Sequence, residues 1–163
     1  METKNKVLKT AKVCGIAAKV LYLLSIAACV TFVVLAIVLS NTDTITSYTK
    51  AETAMIFSTL AIYSFVLIGL MWNVEGIFKS IVSEGSPFAE RVCHYVKKVA
   101  VFVIILSVVP ALIGSIILRS IYPETDVSFP IDVGGIIAGV VFFVVGLVFN
   151  YGRELQKRDD ETL

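Results

Sequence analysis

At 163 residues, with 57% hydrophobic and 17% charged side chains, the chain is too oily for one soluble core, where roughly 45–50% and about 25% are usual. A net charge of +1 leaves no basic footprint of the kind that direct nucleic-acid binding needs. The length allows one domain, spanning 1–163, and the surplus apolar area is what lipid-facing helices carry.

The apolar residues gather in four runs, at 16–39, 54–72, 99–118 and 133–151. Each is long enough to cross the ~30 Å hydrocarbon layer as a helix, which takes about 20 residues at 1.5 Å rise. This predicts an all-α membrane protein with four transmembrane helices in a bundle, its main partner the lipid bilayer.

Residues 1–19 form a basic arm in which Lys4, Lys6, Lys9, Lys12 and Lys19 alternate with apolar residues. Its expected place is along an anionic leaflet, where each lysine is worth about 1 kcal/mol. The first run contains Ile26-Ala27-Ala28-Cys29, which looks like a lipoprotein processing box. The run continues for ten residues past Cys29 and totals 24, beyond the 7–15 of a signal core, so a stop-transfer anchor is expected. A polar loop at 40–53 follows. The second run ends at Trp72, which fits the aromatic belt at headgroup level.

The connection 74–98 is richest in pattern. Val74, Ile77, Phe78, Ile81 and Val82 recur at helical spacing, with Glu75, Lys79, Ser80 and Glu84 opposite. That spacing predicts an amphipathic continuation of span two. Gly85 suits a left-handed stop, and Ser86-Pro87 reads as an N-cap followed by proline at the first helical position. A second stripe, Phe88, Val92, Tyr95, Val96 and Val99, leads into span three. The two stripes are expected to pack together as a hairpin reaching ~15 Å below the bilayer.

Pro110 predicts a kink near Leu106, serving either gating or structure alone. Gly135, Gly139 and Gly146 fall near one face of span four and permit close approach of a neighbour. That neighbour is a helix of the same chain or of a second copy, so a homo-oligomer stays open. Twelve of the fourteen lysines and arginines lie in the arm, the 74–98 connection and the tail 152–163. Lys50 and Arg119 alone lie in the other two connections, and the loop 120–132 adds only the acids Glu124, Asp126 and Asp132. This split places both termini on the cytoplasmic side of a multi-pass protein.

Chemistry is sparse. Mid-span polarity is limited to Ser25, Thr31, Ser58, Thr59, Tyr63, Ser64, Ser107 and Ser115, with no ionisable group to form a proton or ion path. Cys93 and His94 are adjacent, hence about 100° apart on a helix, and Cys14 is the one further candidate beside them. Zinc normally takes four ligands, so no metal or other cofactor is expected. Cys14 and Cys93 lie toward the reducing side and Cys29 lies within a span, which argues against disulfides. Glu84, Glu90 and His94 are the residues that an enzyme acting on lipid at the inner leaflet would use, but with no ionisable group at membrane depth a non-enzymatic protein is expected.

Two segments carry a resemblance: Ile77-Phe78-Lys79-Ser80-Ile81-Val82-Ser83-Glu84-Gly85-Ser86-Pro87-Phe88, and Phe149-Asn150-Tyr151-Gly152-Arg153-Glu154-Leu155-Gln156 with the terminal Asp160-Glu161-Thr162-Leu163. Together they resemble the bacterial membrane family catalogued as domain of unknown function 2975, the YoaS-like group, over nearly the whole chain. The resemblance implies a small bacterial inner-membrane protein of no established activity, often encoded beside a small helix-turn-helix transcription regulator. On that analogy Gly85, Pro87, Phe88, Gly152, Leu155 and Gln156 hold or release such a regulator. The same residues also read structurally, as a tight turn, an end to span four and a tail packed on the hairpin. The alternative function is a small-molecule or lipid permease, or an accessory subunit of a transporter, with a crevice between kinked span three and glycine-rich span four.

Overall fold

The computed structural model describes residues 2–41, 50–121, 123 and 131–161, and within them all side chains except those of 2–5, 40, 50, 51, 121, 156 and 159–161. The described residues form four helices and no strand: α1 (Glu2–Asn41), α2 (Lys50–Glu84), α3 (Glu90–Ile121) and α4 (Val133–Glu161). Each contains a stretch long and apolar enough to cross a membrane. All four overrun the apolar runs. Lengths of 29 to 40 residues correspond to about 45–60 Å, against a ~30 Å hydrocarbon layer.

Neighbouring helices run antiparallel. Gly15 meets Phe78, Tyr22 meets Trp72 and Phe32 meets Phe57, so numbers rise on α1 as they fall on α2. The same reversal joins Gly76 to Tyr95 and Gly69 to Phe102, then Ile104 to Gly139 and Lys97 to Gly146. The first half of α1, the α2–α3 turn and the last half of α4 therefore share one end, hereafter the turn end.

α1 packs on α2, α2 on α3 and α3 on α4, and no other pair of helices meets among the described residues. The expected bundle is thus an open row, not a ring closed around a central core. Its cause lies in the seams. On α1 the residues facing α2 are Ala11, Gly15, Ala18, Tyr22, Ser25, Cys29 and Phe32, spaced alternately by four and three. Ala11, Ala18 and Ser25 are buried. A 3.5-residue repeat keeps such a stripe on one partner, and its small members let backbones approach. Cys29 Sγ reaches the Ala61 carbonyl at 3.7 Å. This seam begins inside the basic arm. The described residues of the arm are thus continuous with α1, and from Ala11 onward they pack along α2.

The expected pairing of the two amphipathic stripes is half realised. Val92, Val96 and Val99 are buried, but Phe78 packs on Gly15 of α1 and, with Val82, lines a groove there. α2 has a neighbour on each side, so its apolar stripe is shared. At the turn, Gly85 takes φ 67° and donates its N–H to the Ile81 carbonyl at 3.0 Å, a left-handed stop that suits glycine. Ser86 Oγ accepts the Phe88 N–H at 3.2 Å, and the Ser86 carbonyl accepts the Ala89 N–H at 3.5 Å. Ser86 and Pro87 thereby open a single turn. α3 itself starts later than expected, closing its first turn from the Cys93 N–H to the Ala89 carbonyl at 3.1 Å.

α3 passes through buried Pro110 as one helix. Next to Leu106, whose carbonyl faces the proline, the Ser107 carbonyl accepts the Asp132 N–H at 3.4 Å. Asp132 caps α4: its Oδ1 accepts the Gly135 N–H at 3.0 Å and its carbonyl the Ile136 N–H at 3.1 Å. The loop acids Glu124 and Asp126 lie outside the described residues.

Gly135, Gly139 and Gly146 all face α3 of the same chain. A Cβ on Gly135 would collide with Ser107, and one on Gly139 would lie 2.5 Å from Ile104 Cγ1 and 3.1 Å from the Ala100 carbonyl oxygen. Gly139→Leu must push α4 off α3, and its cost is expected at about 1–3 kcal/mol, read as a lowered unfolding midpoint in detergent. Val140→Leu, on the exposed face, should leave that midpoint in place. Asp132→Ala should cost about 1 kcal/mol through the lost cap.

Candidate functional site

The mid-span serines are spent on their own helices. Ser25 donates to the Leu21 carbonyl at 2.8 Å, Ser64 to Leu60 at 2.9 Å, Ser107 to Val103 at 2.9 Å and Ser115 to Ala111 at 2.8 Å. Among the described residues no buried side-chain nitrogen or oxygen lacks a partner. α3 side chains fill the places of the α4 glycines, so the expected crevice between spans three and four does not open along that seam. A groove of about 350 Å³ lies instead between α2 and α3, walled by Leu60, Pro110 and Leu118, with Thr59, Tyr63 and Ser115 as its polar members.

Chemistry-bearing residues gather at the turn end. Phe88 meets Phe149 edge to face, ring centres 5.5 Å apart and planes at 69°, a geometry aromatic pairs favour. The Phe88 ring also covers Gly152, where a Cβ would come to 3.1 Å of it. Arg153 Nη1 pairs with Glu90 Oε2 at 3.1 Å. Of the expected docking residues, Phe88 and Gly152 are brought together, while Gly85 and Pro87 shape the turn. Leu155 is 45% exposed. The side chain of Gln156, and residues Thr162 and Leu163, lie outside the described residues. Gly152 does not end the helix, which continues to Glu161.

Glu84, Glu90 and His94 line one open groove of about 790 Å³. Glu84 is held by Arg91 at 3.6 Å and Glu90 by Arg153; of the two hydroxyl-bearing residues lining the groove, Ser83 and Tyr95, Ser83 donates to the Ser80 carbonyl at 3.1 Å. This arrangement offers no activated nucleophile. Cys93 is buried with its Sγ 3.9 Å from the Phe88 carbonyl, and His94 turns outward. Cys14 stands on α1, which does not touch α3. Among the described residues no three His, Cys, Asp or Glu side chains group to hold a metal.

A further groove of about 500 Å³ joins α2, α3 and α4, with Lys97 and Lys98 at one end and Trp72, Phe102 and Phe143 as walls. The Lys97 stem lies over Gly146, where a Cβ would sit 3.0 Å from its Cγ. In the sequence Lys97 and Gly146 stand 49 residues apart. Only the antiparallel register of α3 and α4 makes them neighbours.

Comparisons with protein-family models, with curated proteins and with solved structures returned no match.

The turn–tail clasp divides into a strong and a weak contact. Phe88→Ala removes the ring that covers Phe149 and Gly152, so amide exchange across 149–158 should rise severalfold. Glu90 is 84% exposed in its ion pair, and Arg153→Ala should alter stability by less than about 1 kcal/mol.

Proposed function

We propose that the chain is a non-enzymatic, multi-pass protein of a bacterial inner membrane with both termini cytoplasmic, and that its turn end is a docking platform for a cytoplasmic helix-turn-helix regulator, acting as sensor or anchor. The observation that carries this reading is the clasp of α4 on Phe88. The two segments that resemble the YoaS-like family come into contact there through Phe88 and Gly152. The distribution of charge agrees with a cytoplasmic turn end, which carries Lys12, Lys19, Lys79, Arg91, Lys97, Lys98 and Arg153. On this reading the overrun of α2 and α3 beyond the apolar runs is the cytoplasmic hairpin.

The open row gives the platform a means of response. Among the described residues α3 is the one helix that α4 packs on, with Phe88 of the turn beside it, so a small shift of α4 along its glycine seam carries Gly152 and Arg153 away from the turn. A change within the lipid layer is then read at the tail without any path for ions or protons.

The permease reading draws support from the α2–α3 groove. That groove is lined chiefly by apolar side chains, which suits a hydrophobic molecule entering sideways from lipid.

Affinity capture of the full chain and of a chain ending at Gly152 tests the platform. The full chain should retain a cytoplasmic DNA-binding protein that the shortened chain loses. An identical partner set from both would refute the tail's part in docking.

A further inference from the structure

Three large grooves at the turn end carry lysine or arginine, beside a smaller one in which Lys79 again accompanies Glu75, and they differ in what accompanies the cation. The groove beside α1 holds Lys12, Lys19 and Lys79 together with Glu75. The groove at the outer side of the turn holds Arg91 with Glu84 and Glu90. The third, between α2, α3 and α4, holds Lys97 and Lys98, and none of the described residues lining it is acidic. Its positive charge is uncompensated from within, which is the condition for attracting an anion.

Polarity changes along this groove in one direction. Lys97 and Lys98 stand at the turn end, and Phe102 lies about one helical turn, or ~5 Å, further along α3. Phe143 lies on the matching side of α4, three residues from Gly146 toward its start. Trp72, 57% exposed, flanks the boundary between the two zones, a position where indole rings favour the headgroup layer. Lys97 is held in place by its stem over Gly146, and Lys98 Nζ stands 6.0 Å from the centre of the Tyr95 ring. The cations are therefore partly pre-positioned, which lowers the entropy cost of binding.

We propose that this groove is a binding site for an anionic phospholipid, with Lys97 and Lys98 on the phosphate and Trp72, Phe102 and Phe143 against the first carbons of its chains. The inference rests on the chain spanning a membrane, and is independent of any protein partner. An anion without chains would leave the apolar half uncovered, and a zwitterionic lipid would bring a second cation to the lysines.

The test is native mass spectrometry of the full chain ejected from nanodiscs of mixed phosphatidylglycerol and phosphatidylcholine. Recovery of the chain from these discs checks the membrane reading separately from the site. The native protein should retain phosphatidylglycerol preferentially. Lys97→Gln with Lys98→Gln should reduce that retention by about tenfold or more, as expected for two lysines at about 1 kcal/mol each. Lys97→Arg with Lys98→Arg should preserve it, and Lys6→Gln with Lys9→Gln, which removes equal charge from α1, should leave it unchanged. Equal losses from the two glutamine pairs would overturn the proposal in favour of diffuse surface charge. Unchanged retention in the Lys97/Lys98 glutamine pair, or full displacement of the lipid by soluble glycerol phosphate, would also overturn it.

Discussion

Lipid tails are as apolar as leucine, so a helix in hydrocarbon gains little by exchanging lipid for another oily helix. Backbone polar groups must also close within each helix. What remains to bind one helix to the next is close approach of backbones, and that needs small side chains in register. The seams of this protein meet the requirement: Ala11, Gly15, Ala18, Ser25 and Cys29 on α1, Gly69 and Gly76 on α2, and Gly135, Gly139, Gly146 and Gly152 on α4. The outer helices carry one such seam each and expose large apolar residues elsewhere, Phe142 and Val144 on α4 among them. An open row follows from that distribution, because α1 and α4 have no seam left to offer each other.

The row sorts polar groups by depth. Serines along the spans return their hydroxyl protons to carbonyls one turn back, which ends their availability for other chemistry. Charge collects at the turn end, where the helices overrun their apolar runs. There α4 closes over the turn through Phe88, Phe149 and Gly152, and among the described residues its one other helical support is α3. One interface thus joins the apolar part of α4 to the surface proposed for docking.

Much of this architecture was legible in the sequence. Hydropathy marked the four helices, and Gly85 marked the stop between α2 and α3, because a left-handed residue after a periodic run is a local signal. The α1 seam was equally local, written at spacings of four and three, but the lysines interleaved with it drew the arm toward a surface reading. The Asp132 cap was also present in sequence, three residues before Gly135. What was not legible depends on which face each helix turns to which neighbour. Phe78 belongs to a stripe that suits either α1 or α3, and periodicity does not choose between them. Likewise Phe88 with Gly152, and Lys97 with Gly146, become pairs only through the antiparallel register of α3 and α4. The crevice expected beside the α4 glycines failed for the same reason, since those glycines are the places that α3 side chains fill.

The central claim is a chain threaded four times through lipid with the turn end inside the cell. Single cysteines at Ser86, Leu155 and Pro123, in a chain whose Cys14, Cys29 and Cys93 are replaced by alanine, test it with a membrane-impermeant maleimide. In intact spheroplasts the Pro123 position should label fully, and the Ser86 and Leu155 positions should label only after the membrane is opened. Labelling of Ser86→Cys or Leu155→Cys in intact spheroplasts, or protection of Pro123→Cys, would contradict the account.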